Sequence, residues 1–310
     1  MIHQKRKVIV ILGPTASGKT KLAVRLAREI QGEIISADSR QIYKKLDIGS
    51  GKDLSEYGKI RHHLIDILAP GVKYSAAKFQ NDALRCLEGI AALQHIPIIC
   101  GGTGYYVKSL IADYEFVSIA SNIKKSQHLE SLSRQELYDK LKQLGVWNSH
   151  PCVTDSKRRM ARAIEKATFQ QKPSTTQQKF NDKYVARIYT THMSRAELRA
   201  RIHGRLQARI ANGLLDEISN LLNEGVDPKF LDSLGLEYRW TYRHLTGELT
   251  LEQLFERLYT DICRFAKRQT TYLRYMQRTG HEILRIESWD SFRQDALDWL
   301  DHYTDKFAPC

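Results

Sequence analysis

An uninterrupted apolar run, Val8 to Leu12, opens the chain, and an amphipathic stretch with Leu22, Ala23, Leu26, Ala27 and Ile30 at helical spacing follows it. A short β-branched run ahead of a 3.6-residue stripe predicts a buried strand feeding a helix. Strand-sized runs recur at Glu33–Ser36, His63–Ile67 and Ile96–Cys100. Between them lie helical patterns, one from Ser75 (an N-cap ahead of Phe79, Ala83, Leu87 and Ile90) and one from Thr103. Alternation of this kind predicts an α/β fold, a largely parallel sheet flanked by helices. Ligands of such sheets bind at the carboxyl ends of the strands, where the loops after them converge.

The pattern then changes. From Glu115 to Lys183 strand signals give way to polar, helix-patterned sequence punctuated by Pro151 and Pro173, which predicts a small helical insertion domain. A strand, Val185–Thr191, resumes the sheet. Helical stripes follow over Arg195 to Leu222 and Leu251 to Met276, then a strand at Glu282–Ile286 and a helix from Ser291 to Leu300. The expected organisation is therefore a core in two parts, 1–114 and 184–310, with residues 115–183 inserted between them.

The turn after the first strand carries the sharpest chemistry. Gly13-Pro14-Thr15-Ala16-Ser17-Gly18-Lys19-Thr20 fits G-x-x-x-x-G-K-[ST] in the strand-to-helix context that a phosphate-binding loop requires. Backbone N–H groups from Gly13 to Gly18 converge on a phosphate at the positive end of a helix. Lys19 adds a point charge, and the Thr20 hydroxyl is placed to ligate Mg²⁺. This predicts a P-loop NTPase-like core. Asp38, ending the run Ile34 to Ala37, could support the metal, act as a general base, or cap a helix over Ser39–Lys45. Thr103, in the turn Gly101-Gly102-Thr103-Gly104, could hold phosphate, orient Asp38, or cap the next helix. Arg201 and Arg205 share one helical face, where two guanidiniums could clamp a pyrophosphate. The strand Ile96–Cys100 ends in glycines without an acidic residue, which argues against an ATP- or GTP-driven machine.

Composition narrows the partners. Among 310 residues, 42% are hydrophobic, and the formal charge is +13. The basic residues cluster as Lys157, Arg158, Arg159, Arg162 and Lys166, as Arg195 to Arg209, and as Arg264, Lys267, Arg268, Arg274 and Arg278 among aromatic rings. A polyanionic partner is the natural inference, with a generally basic surface as the alternative. No apolar run approaches the ~20 residues of a membrane span. The basic segment Met1 to Lys7 runs straight into a strand, unlike a signal peptide. Five scattered cysteines form no C-x-x-C pair, which argues against zinc or a disulfide framework and suits a reducing cytoplasm.

Taken together, the motifs at 13–20, Ile34 to Tyr43, Asp47-Ile48-Gly49, His62 to Asp66, Tyr74 to Phe79, Gly101 to Tyr106 and Lys267 to Arg274 resemble the tRNA dimethylallyltransferases in their bacterial form. The resemblance implies transfer of a dimethylallyl group from dimethylallyl pyrophosphate to N6 of the adenosine 3′ of the anticodon. The phosphate loop (Gly13, Thr15, Ala16, Ser17, Gly18, Lys19, Thr20), with Mg²⁺ on Thr20, would then hold the pyrophosphate rather than a nucleotide to be hydrolysed. By the same likeness Asp38 takes the N6 proton, Thr103 helps position Asp38 and the substrate phosphate, and Lys19, Thr20 with Mg²⁺, and Arg205 with Arg201 steady the leaving pyrophosphate. The segments implied to contact the tRNA anticodon stem-loop are Asp38, Ser39, Arg40 and Gln41; Arg158, Arg159, Met160, Ala161 and Arg162; and Lys267, Arg268, Gln269, Thr270, Thr271, Tyr272, Leu273 and Arg274. The expected setting is a cytoplasmic monomer. Arg40 and Arg209 depart from the small or apolar residues usual in the family, residues 234–239 match it only loosely, and 115–153 run short. Two classes of alternative stay open: a same-fold small-molecule kinase or prenyltransferase of free adenine nucleotides, and a nucleotide-gated RNA-binding module without catalysis.

Overall fold

A computed structural model describes residues 5–114, 128–129, 131–148, 153–154, 156–168 and 179–301. In chain order the elements are β1 (Arg6–Leu12), α1 (Lys19–Glu29), β2 (Gly32–Ser36), β3 (His62–His63), α2 (Ala76–Ala92), β4 (Ile96–Gly101) and α3 (Gly104–Ile111). They continue with α4 (Arg134–Gln143), α5 (Lys157–Ala167), β5 (Tyr184–Thr191), α6 (Arg195–Ala211), α7 (Leu214–Asn223) and α8 (Pro228–Leu234). Last come α9 (Leu236–Leu245), α10 (Leu251–Arg278), β6 (Leu284–Ile286) and α11 (Trp289–Asp301). Single helical turns lie at Leu54–Tyr57 and Phe180–Lys183.

The six strands form one sheet in the order β3-β2-β4-β1-β5-β6, with every pairing parallel. Parallel neighbours need crossover helices, which cover both faces and explain the near-continuous burial of β1 and β2. Ile9, Ile11, Ile34 and Ile98 are fully buried against Ala23 and Leu26 of α1 on one face. At roughly 25 cal/mol per Å² of apolar surface, each such side chain contributes about 1.5–3 kcal/mol.

Register brings three loops together. Ser36 pairs with Cys100, Ile11 with Cys100 and Leu12 with Gly101, so β2, β4 and β1 end side by side. The loops leaving them must crowd. A Cβ on Gly101 would lie 2.2 Å from the Ala37 carbonyl oxygen, so only glycine lets the β4 loop pass that close to Asp38.

Compact units divide the chain into Met1–Asp113 with Lys179–Cys310, and Tyr114–Gln178. The latter is helical among its described residues. Its helix α4 starts at a Ser133/Glu136 capping box, and α5 starts at Ser156, whose hydroxyl accepts the Arg159 N–H. Leu137, Leu141, Met160, Ala161 and Ile164 form its core.

Two elements depart from the pattern expected of the sequence. The strand expected at His63–Ile67 stops after His63, because Leu64 and Asp66 adopt positive φ and Asp66 pairs with the buried Lys52 ammonium. The continuous helix expected over Arg195 to Leu222 breaks at Asn212–Gly213, where Gly213 takes φ +97° and starts α7. No helix among the described residues is long and apolar enough to cross a membrane.

Candidate active site

Thr15, Lys19 and Thr20 from the phosphate loop and α1, Asp38 to Gln41 after β2, and Gly49 to Gly51 line one cavity. Arg205 and Arg209 of α6, Glu237 of α9, and Phe265 and Gln269 of α10 close it. Topology explains the company: the loops come from adjacent strand ends, and three helices from the second half of the chain cap them.

Lys19 reaches back to the Pro14 carbonyl at 3.4 Å. Burial pushes its pKa down, while the nearby Cys100 and Asp38 pull it up. The Thr20 hydroxyl engages the Cys100 thiol, whose pKa burial pushes up to about 11. Arg201 lies over the loop: a Cβ on Gly18 would be 3.6 Å from its Nη1. Four residues on, Arg205 contacts the Asp53 carboxylate and the Gly51 carbonyl. Burial lowers the Arg205 pKa, as does the guanidinium of Arg209, while Asp53 and Glu237 oppose the shift. Both arginines crowd the Gly51 backbone. Lys19, Arg205 and Arg209 line the cavity and Arg201 lies beside Gly18, and although Asp53 and Glu237 pair with Arg205 and Arg209, such a set of cations suits a polyanionic group.

Asp38 ends β2's run but caps no helix, for the segment after it is a turn. Its Oδ1 accepts the Arg40 N–H at 2.9 Å, an Asx turn that aims the carboxylate into the cavity's lining. Thr103 does not use its side chain to cap α3 either. Its hydroxyl oxygen accepts the Ser39 N–H at 3.2 Å, and its own N–H donates to the Ala37 carbonyl at 3.1 Å. Thr103 therefore grips both sides of Asp38.

A divalent cation fits the donors present. Among the described residues no cluster of three carboxylate, imidazole or thiol groups exists to cage a metal. The cavity offers Thr20 and Asp38 oxygens beside the phosphate loop. Mg²⁺ commonly takes that few protein ligands, completing its shell with water and substrate phosphates.

Several side chains expected at an RNA surface are committed inside. Arg40 donates to Glu237 Oε2 at 3.2 Å and to the Leu234 carbonyl at 2.9 Å. Gln41 joins Ser36 to the Gly51 carbonyl. On α10, Gln269 and Leu273 are buried and Tyr272 packs its ring against Gly104, while Lys267, Arg268, Thr271 and Arg274 are exposed. The Thr270 hydroxyl bonds the Ala266 carbonyl. Within the helical unit Met160 and Ala161 are core, leaving Arg158, Arg159 and Arg162 outside. A helix puts only part of any consecutive segment on its exposed face.

Glu237 was not legible beforehand. Its carboxylate lies between Arg40 and Arg209, the latter at 2.7 Å. The hint in the sequence was the pair Arg40 and Arg209, each demanding a counter-charge once buried.

The IPP transferase family profile matches residues 41–276, and an isopentenyl transferase profile matches residues 6–72. A tRNA dimethylallyltransferase 2 of Shewanella sediminis is 39% identical over 94% of this chain and 97% of its own length. One of Trichlorobacter lovleyi is 44% identical over 89% of this chain and 90% of its own. The crystal structure of the tRNA isopentenylpyrophosphate transferase of Bacillus halodurans superposes with a TM-score of 0.70 at 30% identity, covering 97% of this chain and 98% of that one. With a phosphate loop, an anchored Asp38 and arginines in one cavity, and likeness along nearly the whole length, the chain belongs to the IPP transferase family, the tRNA dimethylallyltransferases.

Proposed function

We propose that this protein transfers the dimethylallyl group of dimethylallyl pyrophosphate to N6 of the adenosine 3′ of the anticodon in tRNA, releasing pyrophosphate. The observation that carries this reading is Asp38, fixed by Arg40 and flanked by Thr103's two bonds, in one cavity with Lys19 and Arg205. The bond from the allylic carbon to the pyrophosphate oxygen breaks, and a bond from that carbon to N6 forms. Asp38 accepts the proton that N6 loses. Negative charge grows on the departing oxygen, where Lys19, Arg205 and Arg201 stabilise it more strongly than in the ground state. The Thr20 hydroxyl would hold Mg²⁺, which would neutralise phosphate charge when bound.

The adenosine must leave its stack to reach a cavity at a sheet end. Exposed Lys267, Arg268, Thr271 and Arg274 on α10 are the proposed backbone contacts beside the cavity, and Arg158, Arg159 and Arg162 those of the helical unit. Such contacts add affinity through counterion release, in keeping with the +13 charge. A cytoplasmic setting follows from the substrate.

Mass spectrometry of tRNA incubated with enzyme, Mg²⁺ and dimethylallyl pyrophosphate tests the reading directly. A prenyl increment on one adenosine is expected with the wild type, and Asp38→Ala should reduce its rate by about 10²–10⁴-fold, the usual worth of a positioned base. Robust tRNA-stimulated ATP hydrolysis without that increment would overturn it.

A further inference from the structure

Between the exposed Lys267, Arg268, Thr271 and Arg274, helix α10 turns one polar side chain inward. Gln269 is only 8% exposed. Its Oε1 accepts the Thr15 N–H of the phosphate loop at 2.8 Å. Its Nε2 donates to the Gly102 carbonyl at 2.9 Å. Both ends of one carboxamide are thus used, the oxygen as acceptor toward Thr15 and the nitrogen as donor toward Gly102.

What those two partners do is the point. Thr15 belongs to the loop that receives the pyrophosphate. Gly102 precedes Thr103, whose N–H donates to the Ala37 carbonyl at 3.1 Å and whose hydroxyl accepts the Ser39 N–H at 3.2 Å. Asp38 sits between those two bonds. A chain of hydrogen bonds therefore runs from the phosphate loop through Gln269 to the two residues that flank the base. The approach is close: a Cβ on Gly102 would lie 2.2 Å from the Gln269 Nε2.

We propose that Gln269 is a positioning residue that sets the spacing between the phosphate loop and Asp38, and that it does not contact RNA although its neighbours on α10 face outward. The inference rests on prenyl transfer as the reaction. Transfer needs the allylic carbon and N6 within about 3–3.5 Å of each other, and a misplacement near 1 Å can cost about 10²-fold. A bracket between the loop holding one reactant and the base serving the other is where such an error would enter.

Two variants separate this role from mere packing. Gln269→Met keeps the volume and loses both bonds. Gln269→Glu keeps an acceptor for Thr15 but sets a second carboxylate oxygen against the Gly102 carbonyl. Protonating that carboxylate restores a donor, and crowding by a carbonyl in a buried site raises the pH at which this occurs. Single-turnover prenylation and tRNA affinity are measured for both variants and the wild type between pH 8 and pH 5.5, with circular dichroism reporting the fold.

The expected result at pH 8 is a rate lowered about 10–100-fold in both variants at saturating substrates, with tRNA affinity within about twofold of wild type. As the pH falls, the Gln269→Glu deficit relative to wild type should shrink at least several-fold while the Gln269→Met deficit stays constant. Weakened tRNA affinity with an unchanged saturated rate would make Gln269 an RNA contact and overturn the proposal. So would a wild-type rate in folded Gln269→Met, or a Gln269→Glu deficit that acid leaves intact. If Gln269→Glu does not fold, the split between rate and affinity in Gln269→Met decides. Absence of prenylated tRNA from the wild type itself would instead refute the assigned reaction.

Discussion

The Thr103 side-chain oxygen accepts the Ser39 N–H at 3.2 Å, so the loop after β4 fixes the turn that carries Asp38. Thr103 also uses its N–H on Ala37, and α3 begins without its side chain as a cap. The hydroxyl therefore serves the site rather than the helix.

Thr103→Val should leave α3 intact and loosen the Asp38 turn. Turnover is expected to fall about 10–100-fold, the scale of losing orientation rather than the base itself. Thr103→Ser retains the oxygen and should recover most of the rate. Single-turnover assays beside thermal melts check both, and equal rates in the two variants would remove the hydroxyl from any role.

Glu237 holds two guanidiniums, Arg40 at 3.2 Å and Arg209 at 2.7 Å, with its own side chain 5% exposed. Glu237→Leu would strand both cations. Breaking a buried pair costs about 3–5 kcal/mol, so urea unfolding should show a loss near the lower end, since both arginines keep some water. Replacing Arg40 and Arg209 by Met in the same chain should regain most of it. A double-mutant cycle without coupling among the three would refute the network.

Lys267 and Arg274 are exposed on α10 and should touch RNA phosphates. Removing either should flatten the log–log salt dependence of tRNA affinity by about 0.7–0.9 and weaken different tRNAs alike. Binding measured at several salt concentrations for Lys267→Ala and Arg274→Ala checks this. Unchanged slopes in both would move the RNA surface elsewhere.

Glu33, 2% exposed, accepts from His95 Nδ1 and His63 Nε2, each at 2.6 Å, with Arg61 at 3.7 Å. Burial raises its pKa, but the two imidazole hydrogen bonds and the Arg61 charge outweigh burial, and the net shift is downward. A carboxyl with a folded pKa below its unfolded value, about 4.3, stabilises the protein fully above that value. The contribution is lost as pH falls through the folded pKa. Glu33→Gln should therefore cost about 1.5–3 kcal/mol at pH 7, the worth of hydrogen bonds to a charged group, and progressively less below about pH 4. Urea melts at both pH values test the sign, and a deficit that grew in acid would reverse it.

The alternation of apolar runs and helical stripes determined the sheet by itself, because local periodicity reports which faces meet a core. Val8–Leu12 and Ile96–Cys100 lie within strands β1 and β4. The turn from β1 into α1 was equally legible, since its backbone path depends on glycines at fixed offsets within eight consecutive residues. His63–Ile67 was not: its apolar run reads as a strand, but Lys52 draws Asp66 into a salt bridge that no local pattern reveals.

Contacts distant in sequence decided the rest. Thr15 and Gln269 are 254 residues apart, Arg40 and Glu237 are 197, and nothing local to either member signals the other. The segment Lys267 to Arg274 is basic and aromatic in sequence, and the resemblance implies tRNA contacts there without telling which residues face out. Helical geometry sorted it, turning Gln269 and Leu273 inward while Lys267, Arg268 and Arg274 stayed in solvent. Which side of α10 meets the core depends on where β1, β2 and β4 end, a property of the assembled sheet. The residue types present came from the sequence, and tertiary packing decided which of them face the reaction, because side-chain direction is set by the partner that buries the opposite face.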